Sequence, residues 1–71
     1  MKISTYIRTC ATAREMNMTE LAQRIGKSKQ GMNQKLTANY FSVTDLQQIA
    51  DALGCDLSVR FIDRTTGKPL I

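Results

Sequence analysis

The sequence predicts a mainly α fold, a small bundle of four helices with a C-terminal β-hairpin. Three observations carry that expectation. Before residue 54, apolar residues recur three and four apart in separate stretches. Helix-capping residues open three of these stretches, and glycine closes two of them. After Gly54 the apolar period shortens to two. The 71 residues are expected to form one domain, 1–71, and the 42% hydrophobic fraction is that of a folded chain.

The first helix is expected over about 4–15, from Ile3, Ile7, Cys10 and Ala11 at helical spacing. Tyr6 adds to its apolar side, and Arg8 and Arg14 project from it.

Two short helices around a tight turn follow, over about 18–25 and 29–36. Asn17 is a good N-cap, and Glu20 stands where a capping box needs a carboxylate. Met16 and Leu21 are spaced as a hydrophobic staple, and Leu21, Ala22 and Ile25 give one apolar face. Gly26 can stop the helix in a left-handed cap. Ser28 opens the next helix, where Met32 and Leu36 lie one turn apart and Lys29, Gln30, Asn33 and Gln34 take the other face.

This stretch, Asn17 to Leu36, resembles the helix-turn-helix of the phage repressor and Cro family of DNA-binding proteins. Glu20, Leu21 and Ala22 match the family's common E-L-A run. Ala22 falls where that family has a small residue at the helix crossing, Gly26 at its turn glycine, and Met32 at its buried position in the second helix. One position departs: many members carry an apolar residue where this chain has Lys35, and here the apolar residue is Leu36. The resemblance implies a helix-turn-helix bundle whose second motif helix reads DNA bases.

A fourth helix is expected over about 43–53. Ser42 and Asp45 form a second capping signal, with Phe41 and Leu46 as its staple. Leu46, Ile49, Ala50 and Leu53 continue the apolar face, and Gly54 closes it. Leu57, Val59 and Phe61 then alternate with Ser58, Arg60 and Ile62, and Thr65-Thr66-Gly67 supplies a turn. A hairpin over about 56–71 is marginal alone. It must fold back on its own helices or pair with a second copy, which makes Leu57, Val59 and Phe61 candidate dimer-interface residues.

The net charge is +4. Its distribution says more than its size. Leu21 to Thr44 contains no acidic residue but includes Arg24, Lys27, Lys29 and Lys35, which suits a face meeting an anionic polymer. The sequence has no histidine for general base work, no nucleophile elbow and no phosphate-binding loop, so an enzyme is not expected. Cys10 and Cys55 form no metal-binding spacing and read as two small buried apolar residues, reduced in a cytoplasmic setting. No metal, cofactor or small-molecule ligand is expected. No stretch has the length to span a membrane.

The expected function is sequence-specific binding of double-stranded DNA by a bacterial or phage-encoded cytoplasmic regulator, a homodimeric repressor occupying an operator. Lys29, Gln30, Asn33 and Gln34 are the candidates for base reading, since glutamine can pair with adenine and lysine can reach guanine. Lys27, Ser28, Lys35, Asn39 and Tyr40 are the candidates for phosphate. Two other readings stand beside this one: an antitoxin-like regulator that also binds a toxin protein, and a protein-interaction module that keeps the fold without binding DNA.

Overall fold

The computed structural model describes residues 2–71. Its helices are α1 (Ile3–Ala13), α2 (Met18–Arg24), α3 (Lys29–Ala38) and α4 (Val43–Ala52). Helix α1 stops two residues short of the expected end, and α3 runs two residues further than expected.

Side chains set three of the helix starts. Asn17 Oδ1 accepts from the Glu20 N–H at 2.8 Å, and Ser28 Oγ accepts from the Gly31 N–H at 3.0 Å. Ser42 and Asp45 form the reciprocal box on α4. The second half of the expected Asn17–Glu20 box is replaced: the Glu20 carboxylate takes the Arg24 guanidinium one turn ahead, at 2.9 Å. Helix α1 has no cap of its own at Lys2. Its cap comes from α3. The Ser4 N–H donates to Asn39 Oδ1 at 2.8 Å, and Ser4 Oγ donates to the Leu36 carbonyl at 2.7 Å. The start of α1 is thereby clasped to the end of α3.

All four helices end in the same motif. The chain turns left-handed at Glu15 (φ 56), Gly26 (φ 72), Asn39 (φ 54) and Gly54 (φ 70). The next N–H then reaches back to the carbonyl five residues earlier, as in Met16 to Ala11 at 2.9 Å and Lys27 to Ala22 at 2.8 Å. Glycine does this without steric cost, whereas the Glu15 Cβ crowds its own carbonyl. Glu15→Gly is therefore expected to stabilise the fold by about 0.5–1 kcal/mol, after allowing for glycine's freer unfolded chain. Thermal melting should register a rise of about 2–6 °C, and a fall would mean that the Glu15 side chain contributes more than its backbone strain costs.

The core joins Ile7 and Ala11 of α1, Met16, Leu21 and Ala22, Met32 and Leu36 of α3, and Ile49 and Leu53 of α4. Helix α2 is its hub and packs on the other three. Leu21 and Met32 are the largest fully buried side chains, each contributing about 2–3 kcal/mol of burial. Phe41 and Leu46 flank the core together, as their staple spacing requires.

The expected hairpin over 56–71 is corrected. No strand forms among the described residues, and the pairing reduces to one antiparallel bridge between Ile62 and Pro69. Two bonds frame it, Asp63 N–H to Lys68 at 2.8 Å and Leu70 N–H to Phe61 at 2.9 Å. The turn at Thr65–Gly67 does form, closed by the Gly67 N–H on the Asp63 carbonyl at 2.8 Å. The Asp63 carbonyl takes the Gly67 N–H, and the Lys68 N–H donates to Thr66 Oγ1 at 3.3 Å, so the ladder does not extend toward the turn. Residues 55–61 have no strand beside them. The chain as a whole is elongated: the radius of gyration is 13.5 Å, against about 11 Å for a compact chain of this length.

Candidate nucleic-acid interface

The exposed side of α3 follows from its buried side. Met32 and Leu36 point into the core one turn apart, so residues offset around the helix must face out. Lys29, Gln30, Asn33, Gln34, Thr37 and Ala38 together line one open, shallow surface along the helix. All four residues selected for base reading are brought onto that surface. Three can donate or accept hydrogen bonds through an amide and the fourth carries a full charge. Thr37 and Ala38 extend the stripe beyond the expected helix end.

The residues selected for phosphate are less alike in their placement. Ser28 Oγ is occupied as the α3 cap. Asn39 Oδ1 is occupied by the Ser4 N–H, and its left-handed backbone ends α3. Tyr40 follows on an exposed loop position. Lys27 and Lys35 converge on one carboxylate. Lys35 Nζ lies 2.9 Å from Asp45 Oδ2, and Lys27 Nζ lies 3.9 Å from Asp45 Oδ1. The departure at Lys35 is resolved in the same place, because Leu36 fills the core while Lys35 turns toward α4.

Asp45 is the residue that sequence reasoning undervalued, having read it only as a cap. It is buried, yet keeps its charge because every oxygen is partnered. Oδ2 accepts from Lys35 Nζ and from the Ser42 N–H at 3.0 Å. The Lys35 hydrogen bond and then the Ser42 N–H pull its pKa from 3.8 down to about 2. A sequence signal for this did exist. The stretch from Leu21 to Thr44 holds no acid, so Asp45 is the first carboxylate that its lysines can meet.

The apolar set after Gly54 is exposed to different degrees: Leu57 at 37%, Val59 at 64% and Phe61 at 82% of full accessibility. Leu57 and Val59 border a groove against α1 and α4. Among the described residues, no helix is long and apolar enough to cross a membrane.

A family model, the Cro/C1-type HTH DNA-binding domain, matches residues 7–58. The match spans all of α2, α3 and α4 and most of α1. No curated protein and no solved structure matches the chain.

Proposed function

The chain belongs to the Cro/C1-type helix-turn-helix DNA-binding domain family, and from that premise we propose that it represses transcription by occupying an operator in duplex DNA as a homodimer. The observation that carries the proposal is the single exposed stripe of Lys29, Gln30, Asn33 and Gln34 on α3. In a major groove, Gln30 and Lys29 in the first turn stand nearest the base edges, with Asn33 and Gln34 one turn behind. Ser28, Tyr40 and the neighbouring lysines approach phosphates. Lys27 and Lys35 reach phosphate only in competition with Asp45, which lowers their share of nonspecific affinity.

Gln30→Ala is expected to weaken binding to the preferred site by about 1–2 kcal/mol and to relax its base preference. Selection of bound sequences from random duplex DNA, followed by titrations on the selected and a scrambled duplex, makes the comparison. Equal losses on both duplexes, or no loss on either, would remove Gln30 from base reading.

One short recognition helix spans few base pairs, so specificity calls for two copies on a symmetric site. The segment after Gly54 offers the means: a backbone without a strand beside it, and apolar Val59 and Phe61 exposed to solvent. Pairing there would set the two recognition helices about 34 Å apart, one DNA turn. Val59→Asp with Phe61→Asp should shift a micromolar dimer to monomer in sedimentation while leaving the helical circular dichroism intact. A wild-type chain that stays monomeric even with a palindromic duplex present would end the dimer proposal.

A further inference from the structure

The two cysteines were expected in the core as inert apolar residues, and the structure places neither there in full: Cys10 is half-buried and Cys55 is exposed. Both line one groove, bounded by α1, α4 and the segment that leaves Gly54. Tyr6, Cys10 and Arg14 lie at i, i+4 and i+8 and so form one row along α1. Cys55 meets that row at Arg14. Arg14 Nη2 approaches Cys55 Sγ to 3.5 Å at one end. At the other end, the Tyr6 hydroxyl is held above its ordinary range by Cys10 beside it, and Cys55 adds to the effect.

We propose that Cys55 and Cys10 form an oxidation site, in which Cys55 is the attacking thiol, Cys10 resolves it, and an intramolecular disulfide ties the root of the C-terminal segment to α1. The Arg14 guanidinium faces the negative charge of a Cys55 thiolate. Cys55 is exposed to a peroxide, while Cys10 is held back in the groove. The oxidant is hydrogen peroxide. The Cys55 thiolate attacks one peroxide oxygen, the O–O bond breaks, and the products are a Cys55 sulfenic acid and hydroxide, which takes a proton to become water. The Cys10 sulfur then attacks the Cys55 sulfur, the S–O bond breaks, and a second water leaves with the Cys10 proton. Two thiols have lost two electrons and two protons, and one peroxide has become two waters. Cys55 is held at the α4 cap by its N–H on the Ala50 carbonyl at 2.8 Å, so an S–S bond of about 2.05 Å requires the two side chains to turn toward each other across the groove that both line.

The test is intact mass and thiol counting on the dilute full-length chain after hydrogen peroxide treatment, with alkylation under denaturing conditions. The expected result is a loss of two mass units, no alkylatable thiol, and recovery of both thiols with reductant. Cys10→Ser should leave Cys55 as a sulfenic acid that a 1,3-dione probe labels, and Cys55→Ser should leave Cys10 unlabelled under the same dose. Retention of two free thiols in the wild type, covalent dimers as the main product, or labelling of Cys10 in preference to Cys55 would each overturn the proposal.

Discussion

Asp45→Ala is expected to destabilise the domain by about 3 kcal/mol, a large share of what so small a core supplies. Two losses combine. The N–H of Ser42 loses its acceptor and half of the α4 capping box disappears, worth about 1 kcal/mol. Lys35 and Lys27 lose their shared counter-charge in a position only partly open to water, worth about 2 kcal/mol after allowance for the solvent both ammoniums can reach. The same carboxylate makes stability depend on pH, with a definite sign. Its folded pKa of about 2 lies below the unfolded value of 3.8, so its contribution is present in full above pH 4. That contribution falls away as pH drops from about 4 toward 2, amounting to about 2 kcal/mol. Urea unfolding at pH 6 and at pH 2.5 measures both effects. The wild type should lose stability between the two conditions by more than Asp45→Ala does. Asp45→Asn separates the components, because the amide oxygen can still cap while the charge is gone. Equal acid sensitivity in wild type and both variants would place the acid-labile carboxylate elsewhere.

Ala22→Leu is expected to cost about 3 kcal/mol, the upper end for forcing extra methylenes into a packed site. Ala22 is fully buried on α2, the helix that packs on all the others, beside the enclosed Leu21 and with Met32 in the same cluster. A leucine there must push α3 away or abandon its rotamer, and either change displaces the stripe carrying Lys29, Gln30, Asn33 and Gln34. Melting temperature and DNA titration should therefore fall together, with DNA binding lost at temperatures where the wild type is folded. Ala22→Gly removes volume instead and costs about 1 kcal/mol in helix propensity. If Ala22→Leu melts with the wild type, α2 and α3 do not meet at this residue.

The helices were legible because their signals are local. Asn17, Ser28 and Ser42 each act on an N–H three residues ahead, Gly26 and Gly54 act on the turn that contains them, and apolar spacing acts within two turns. The exposed stripe of α3 was legible for the same reason, since fixing Met32 and Leu36 inward leaves its four polar residues outward. The hairpin failed by overreach. Alternation at Leu57, Val59 and Phe61 favours an extended chain, but a strand also needs a neighbour, and Leu57 and Val59 border α1 and α4 rather than a second strand.

The sequence by itself therefore determined four helices, the caps of α2, α3 and α4, the glycine stops after α2 and α4, and which face of the second motif helix is polar. Each of these follows from interactions spanning a few residues, whose geometry the backbone supplies wherever the chain happens to lie. Only the tertiary structure decided that Asn39 caps α1 through Ser4, that Lys27 and Lys35 share Asp45, and that Cys55 meets Arg14 at the end of α1. These pairings join residues 10 to 41 positions apart, and each depends on a distance of a few ångströms between separate elements. Residue spacing carries no such distance. It is set when α2 packs on the other three helices, where close packing rather than local preference fixes which side chains meet.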